Sequence, residues 1–155
     1  MYSFQYTVKT QARPEQAWEV YSDWRLWPRF ANIYGPIVWS EGRPWEVGSR
    51  MRIEILKPIR DVVDHLIVDC EPAKRLGWID RCLDRCLGIA IRQWAEFTPL
   101  HNGGTRIHTW GDLSAPDAIV GVKPAKELIG IFTETWYENY RMACDERHDS
   151  LELTG

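Results

Sequence analysis

The sequence lacks the features that would place a protein in a membrane or in a secretory pathway. Nowhere in its 155 residues do about 18 apolar residues follow one another, as a membrane-spanning helix requires. Residues 1–5 contain neither the basic region nor the apolar run of a secretory signal peptide. Only four cysteines are present, and without a secretory context we expect them to be reduced thiols. We therefore expect a cytoplasmic protein without stable membrane insertion.

An excess of positive charge is also missing. The chain carries 19 basic and 22 acidic side chains, which gives a formal net charge of −3. Proteins that bind nucleic acids normally present a basic surface to the phosphates, so we expect no nucleic-acid partner. The sequence has no G-x-S-x-G, P-loop, dinucleotide or HExxH motif, and we expect no cofactor. Cys82 and Cys86 have a spacing that zinc ligands can adopt, but no second pair matches it, so we expect no metal.

Tryptophan, by contrast, is abundant. The chain has nine Trp against six Tyr and four Phe. Each indole brings a large apolar area and one N–H that needs a partner when it is buried. The excess is compatible with a generous core or with a lined cavity, and composition does not choose between them. At this length we expect a single domain, residues 1–155, able to bury about 70% of its unfolded surface.

The residue pattern predicts a strand, two short helices, six further strands and one long helix. Apolar residues alternate from Tyr2 to Val8, as in a half-buried strand. Pro14 suits the first turn of a helix, and Asp23 suits the cap of a short second helix that ends near Pro28. Six strands follow, at 37–39, 50–56, 61–70, 76–82, 88–100 and 105–113. An amphipathic helix is predicted from about Pro124 to Asp149.

The last two strands permit a prediction of register. Each strand has one predicted core face, with Ile89, Ile91, Ala95 and Phe97 on the first and Ile107 and Leu113 on the second. Both sets are odd-numbered, so they share a face only if paired residue numbers sum to an even value. A three-residue loop at 102–104 with a glycine in the left-handed conformation satisfies this condition. It would pair Phe97 with Thr109 and Ala95 with Gly111.

The order of elements predicts an α+β fold. Strands joined by short connections form an antiparallel meander, and the long helix is the element large enough to cover its apolar face. Four segments then carry a resemblance: Arg13–Val20 with Asp23-Trp24 and Trp27-Pro28, Val47-Gly48-Ser49, Glu71–Leu76, and Gly103–Arg106. In this order and spacing the chain resembles the START-like (SRPBCC) helix-grip superfamily, which includes polyketide cyclases/dehydrases and lipid-transport proteins. The resemblance implies a seven-stranded antiparallel sheet wrapped around a long C-terminal helix, with two short helices after the first strand.

The same resemblance implies a ligand cavity between sheet and helix. On the inward face Gln93, Thr109 and Gly111 are small or polar, which favours a cavity with a few polar groups. The alternative is a filled core in which Phe132 and Trp136 occupy the space. If the cavity exists, the residues expected to contact a ligand are Trp78, Ile91, Gln93, Ala95, Phe97, Ile107, Thr109, Leu128, Phe132 and Trp136.

Two residues are candidates for acid–base chemistry. Asp80 shares strand parity with Leu76 and Trp78, and a buried carboxylate there could anchor a ligand or move a proton. The alternative, which the pattern favours, is an Asp80 at the wet end of its strand, paired with Arg81 or Arg92. His65 could also serve as a cavity base, but the inward face of strand 61–70 is not decided by the pattern, and a structural histidine is the favoured interpretation.

These observations lead to two functional hypotheses. The first is binding or transport of a hydrophobic small molecule, lipid-like or aromatic and polyketide-like, in the internal cavity. The alternative is a polyketide aromatase/cyclase or dehydrase that uses Asp80 or His65 as general acid or base. An interaction module with an exposed apolar patch is a third class.

Overall fold

The order of secondary structure elements is the one that the residue pattern predicts. The computed structural model describes residues 1–116 and 122–154. The elements are β1 (Tyr2–Thr10), α1 (Pro14–Ser22), a short 3₁₀ helix (Trp24–Arg29), β2 (Tyr34–Glu41), β3 (Arg50–Ile55), β4 (Asp61–Glu71), β5 (Arg75–Cys82), β6 (Ala90–Pro99), β7 (Thr105–Ser114) and α2 (Val122–Thr154). The long helix therefore exceeds the predicted range at both ends.

All seven strands belong to one antiparallel sheet. The spatial order is β1-β7-β6-β5-β4-β3-β2, so each strand from β2 to β7 pairs with its neighbours in the chain. The first strand closes the other edge by pairing with β7, with Tyr2 opposite Leu113 and Thr10 opposite Thr105. The predicted α+β fold, a seven-stranded sheet with a long C-terminal helix, is confirmed.

Local hydrogen bonds explain where the two short helices begin. Pro14 opens α1, and the side chain of Gln16 accepts a hydrogen bond of 3.0 Å from the backbone N–H of Arg13. Asp23 caps the 3₁₀ helix as predicted, because its carboxylate accepts from the backbone N–H of Arg25 at 3.2 Å. The helix runs one residue past Pro28, and the N–H of Phe30 closes its last turn on the carbonyl of Trp27.

The β6–β7 hairpin has the predicted kind of loop in a different place. The loop has three residues and a glycine, Gly103, at φ +89°, but it spans 101–103 because Leu100 hydrogen-bonds with Gly104. Phe97 therefore pairs with Ile107 and not with Thr109. Gly104, the residue before β7, cannot carry a side chain, because a Cβ at this position would lie 2.3 Å from the carbonyl oxygen of Thr10. The pairing sum stays even, so the inward face is unchanged.

An aromatic cluster fills one half of the space between sheet and helices. Its members are Trp18, Tyr21, Trp27, Phe97, Trp136, Tyr137 and Tyr140, with Tyr21 in ring contact with each of the others. Its polar atoms are paired, since the hydroxyls of Tyr21 and Tyr137 lie 3.1 Å apart and Tyr140 donates to the carbonyl of Ala17 at 2.6 Å. Three of the seven rings belong to α2, so the cluster fixes this helix to the sheet.

The long helix buries one face and exposes the other. Trp136, Tyr137, Tyr140 and Cys144 are all at most 5% exposed, whereas Ile131 on the opposite side is 63% exposed. Within the described ranges, no helix combines the length and the apolar character needed to cross a membrane.

The outer face of the sheet carries a tight contact that requires glycine. Trp94 lies on this face opposite Trp110 of β7 and Gly77 of β5. A Cβ at residue 77 would lie 2.2 Å from the ring of Trp94, which covers the glycine. The indole can therefore pack flat only because residue 77 has no side chain.

This contact predicts opposite effects for the same substitution at two glycines. We expect Gly77→Ala to destabilise the protein by about 1–3 kcal/mol, because Trp94 must be displaced. Gly130→Ala is the matched control, since its Cβ meets nothing within 4 Å and alanine gains about 1 kcal/mol in a helix. Urea unfolding midpoints measure both changes. Equal midpoint shifts of the two variants would contradict the assignment of the Trp94 contact.

Candidate functional site

The other half of the space between sheet and α2 is a cavity. Its volume is about 260 Å³, and its walls come from β3 to β7 and from the first part of α2. Residues of the β3–β4 turn (57–59), the β5–β6 loop and the start of α2 lie around one end of it. At this end the side chain of Leu128 is 39% exposed. The space is therefore not filled by Phe132 and Trp136, which instead form part of its wall.

Six of the ten predicted ligand residues line this cavity. They are Trp78, Ile91, Gln93, Leu128, Phe132 and Trp136. Their side chains are mainly apolar, and the amide of Gln93 donates to the hydroxyl of Thr109 at 2.8 Å. One N–H of the Gln93 amide is therefore already paired within the protein.

The other four predicted ligand residues do not line the cavity. Ala95, Phe97, Ile107 and Thr109 are all at most 4% exposed and belong to the packed core. They share the inward face with Ile91 and Gln93, but they lie further towards the β6–β7 loop, where the aromatic cluster covers the sheet. Phe97, for example, contacts the rings of Trp18 and Tyr21 at 5.9 and 5.8 Å. The alternation of side chains correctly predicts which face of the sheet these residues are on. It does not predict whether the cavity or the aromatic cluster covers them.

Several lining residues were not predicted from the sequence. The walls also include Trp27, Tyr34, Ile53 and Val63. Tyr34 begins β2, three residues before the predicted start, and its hydroxyl accepts a hydrogen bond of 3.0 Å from the indole N–H of Trp136. The β2–β3 pairing shifts register between Tyr34 and Ile37, so simple alternation does not place Tyr34 on the inner face.

His65 and Asp80 meet in the cavity wall. His65 lies opposite Asp80 in the β4–β5 ladder, and its Nδ1 is 2.5 Å from Asp80 Oδ1. The other carboxylate oxygen accepts a hydrogen bond of 3.1 Å from the indole N–H of Trp78. His65 is 5% exposed, so its own face of β4, that of the neighbouring odd-numbered residues, is the inward one. All three side chains line the cavity.

The expected pairing of Asp80 with an arginine is wrong. Arg81 is the next residue of β5 and points to the opposite face, while Arg92 pairs with Ile79 on the outer side of the sheet. Asp80 pairs with Ile91 in the ladder and shares its inward face. A carboxylate on this face finds His65 and Trp78 as its hydrogen-bond donors.

One nitrogen of His65 remains without a partner. Nε2 is buried and meets no hydrogen-bond partner among the residues that the structure describes. The ring lies between two indoles, with centroid distances of 5.9 Å to Trp27 and 5.5 Å to Trp78. A buried unsatisfied polar atom costs about 1–3 kcal/mol, so its presence beside a cavity is notable.

Three further titratable side chains of the cavity wall, Cys82, Tyr34 and Tyr137, stay neutral near pH 7. Burial, and secondarily the charge of Asp61, raises the pKa of the Cys82 thiol to about 12. Burial also raises the pKa of the Tyr137 hydroxyl to about 12 and that of Tyr34 further. In the described part of the chain no group of three or more His, Cys, Asp or Glu residues is placed to hold a metal ion. The polar chemistry of the inner wall therefore centres on His65 and Asp80.

The carboxylate of Asp61 fixes the β5–β6 loop, which forms part of the cavity wall. Asp61, 7% exposed, accepts hydrogen bonds from the backbone N–H groups of Val62 at 2.7 Å, Asp84 at 3.0 Å and Cys86 at 2.7 Å. Two of these donors belong to the β5–β6 loop. Because Cys86 and Asp61 both line the cavity, the shape of this end depends on the three bonds.

Fold and site together define a helix-grip α+β protein with an internal apolar cavity. The similar solved structures include a START superfamily protein from Mycobacterium smegmatis, at TM-score 0.72 and 16% identity over 94% of this chain and 99% of that chain. Ara h 8.0201 matches at TM-score 0.67 and 11% identity over 92% and 96% of the two chains. A hypothetical protein from Helicobacter pylori matches at TM-score 0.72 and 14% identity over 92% and 87%. The chain therefore has the START-like helix-grip fold.

Sequence comparison adds relatives but no activity. No family model matches the chain. Uncharacterized proteins from Mycobacterium bovis and Mycobacterium tuberculosis are each 31% identical over 111 residues. The match covers 70% of this chain, and the chain spans 63% of the length of these curated relatives.

The role of Asp61 predicts that Asp61→Asn and Asp84→Asn differ in their effect on stability and on amide exchange. We expect Asp61→Asn to lower stability by about 2 kcal/mol, because the amide offers one acceptor oxygen to three backbone donors and no charge. Amide hydrogen exchange at Asp84 and Cys86 should accelerate in the same variant. Asp84→Asn is the matched control, since this side chain is exposed. Unchanged exchange at both amides in Asp61→Asn would refute the assigned role.

Proposed function

We propose that the chain binds a hydrophobic, aromatic small molecule in the cavity between the sheet and α2. The observation that carries the proposal is a cavity of about 260 Å³ with a mainly apolar wall that includes the indole rings of Trp27, Trp78 and Trp136. Ligand sites of small-molecule carriers have this design, a mainly apolar wall with a few polar groups that set orientation.

The size and chemistry of the wall favour a compact ligand. The volume lies slightly below the usual range of about 300–1,000 Å³ for ligand pockets, so a molecule of two fused rings fits better than a long lipid chain. Affinity would come mainly from burial of apolar surface, at roughly 25 cal/mol per Å². The fold likeness to a START superfamily protein supports ligand binding at this coarse level.

A cavity-filling substitution tests the proposal. We expect naphthalene, or any hydrophobic compound that native mass spectrometry finds on the purified protein, to bind the wild type. Ile91→Trp places a larger ring inside the cavity and should weaken binding at least about tenfold in calorimetric titrations. Ile131→Trp is the control, because Ile131 is 63% exposed and not part of the described lining.

Two results would contradict cavity binding. The first is equal affinity of wild type, Ile91→Trp and Ile131→Trp for the same compound. The second is a wild type to which no hydrophobic compound binds.

The contact between His65 and Asp80 favours a second candidate function, proton transfer on a bound ketone. Asp80 orients the imidazole through Nδ1 and leaves Nε2 as the basic nitrogen. A base held this way could remove a proton from the carbon next to a carbonyl group and return it to another position. Such steps occur in cyclisation and dehydration of polyketide-like chains, the reaction class of the enzyme hypothesis.

Hydrogen–deuterium exchange tests this candidate directly. We expect the wild type to accelerate exchange of the α-protons of 2-tetralone, followed by NMR, by roughly 100-fold over buffer. Asp80→Asn should lose most of this acceleration, while Asp84→Asn, on an exposed side chain outside the described lining, should keep it. A wild type that binds 2-tetralone without accelerating exchange would rule the candidate out and leave ligand binding intact.

A further inference from the structure

The unpartnered nitrogen of His65 defines the chemistry of the ligand more closely than the apolar wall does. Nε2 belongs to a side chain that is 6% exposed, in a residue that lines the cavity. Among the described residues no group pairs with this atom. Folded proteins rarely leave such an atom unpaired, because the lost hydrogen bonds to water are not replaced.

The tautomer of His65 follows from its partner. Asp80 Oδ1 lies 2.5 Å from Nδ1, and Asp80 Oδ2 accepts from the indole of Trp78. An ionised carboxylate only accepts hydrogen bonds, so the neutral form of the ring that fits this contact has its proton on Nδ1. Nε2 then holds a lone pair and acts as an acceptor. It can be satisfied by a group that donates a hydrogen bond.

Two other polar side chains of the cavity wall already have protein partners. The amide of Gln93 donates to Thr109, and the hydroxyl of Tyr34 accepts from the indole of Trp136. Both contacts are within 3.0 Å. Of the cavity-lining residues that the structure describes, His65 is the one with a buried side-chain polar atom that has no partner.

We propose that the ligand carries a phenol or enol hydroxyl group, which donates a hydrogen bond to Nε2 of His65. The inference rests on the proposed function, since it requires a ligand in the cavity. The two indoles beside the imidazole, Trp27 and Trp78, would lie along the aromatic body of the same ligand. Specificity then comes from a single polar contact set in an apolar wall.

A pair of probes of equal shape tests the inference on the wild type. 2-Naphthol and 2-methylnaphthalene differ in a hydroxyl against a methyl group at the same ring position. We expect 2-naphthol to bind roughly tenfold more tightly by calorimetry, as one buried hydrogen bond predicts. 2-Acetonaphthone, which can only accept, should show no such advantage over 2-methylnaphthalene.

A change of tautomer provides the sharper test. In Asp80→Asn the amide oxygen can still accept from Trp78, which turns the amide NH₂ towards Nδ1 of His65. The imidazole would then accept at Nδ1 and donate from Nε2. We expect 2-acetonaphthone to gain roughly tenfold relative to 2-methylnaphthalene in this variant. Asp84→Asn, the matched control on an exposed side chain outside the described lining, should keep the wild-type order of the three probes.

The outcomes separate this inference from the proposed function. If all three probes bind the wild type with equal affinity, cavity binding stands and the role of His65 is refuted. If none of them binds, the proposed function fails as well. A wild-type preference for 2-naphthol that Asp80→Asn leaves unaltered assigns the contact to another group and also overturns the inference.

Discussion

The aromatic cluster around Tyr21 determines the rest of the architecture. Its rings join α1, the 3₁₀ helix, the sheet and α2, and they set the distance between α2 and the sheet. The large rings of Trp136 and Tyr140 hold α2 away from the sheet where they pack. The helix stays at that distance from the sheet towards its first turns. There the opposing side chains are smaller, with Ile91, Gln93 and Val63 on the sheet, and they do not reach the helix. The packing of the aromatic cluster therefore leaves a cavity beside it, which a close-packed interior would otherwise not contain.

The polar side chains of the cavity wall can form directional contacts, which its apolar side chains cannot. An apolar wall alone attracts ligands without orienting them, because hydrophobic burial has no preferred geometry. The pair of His65 and Asp80 adds one directional group, fixed by the strand register and by the indole of Trp78. Asp61 controls the opposite end by holding the β5–β6 loop. The loop contact of Asp61 and the pair of His65 and Asp80 are thus separate features, four residues apart along β4.

The fold could be predicted from the sequence because it rests on local signals. Pro14, Asp23 and the glycine of the β6–β7 loop mark the ends of elements, and strict alternation assigns the inner face of β6 and β7. The site was harder to predict, because it depends on position along a face. Phe97 and Gln93 have the same parity, yet Phe97 is covered by Trp18 and Tyr21 while Gln93 reaches the cavity.

Tertiary pairing decided the remaining differences. The partner of Asp80 is His65 because the β4–β5 register places them opposite each other, and no local pattern encodes that register. The β6–β7 loop lies at 101–103 and not at 102–104, because Leu100 and Gly104 are joined by a hydrogen bond that the alternation of side chains does not predict. Tyr34 reached the wall through an irregularity of β2, which alternation does not anticipate.

The central claim is that the cavity holds an aromatic ligand whose hydroxyl group meets His65. A crystal structure of the protein with 2-naphthol tests it most directly. We expect the naphthalene rings to lie between Trp78 and α2, with the hydroxyl oxygen within hydrogen-bond distance of Nε2 of His65. A cavity that stays empty, or a ligand whose oxygen points away from His65, would contradict it.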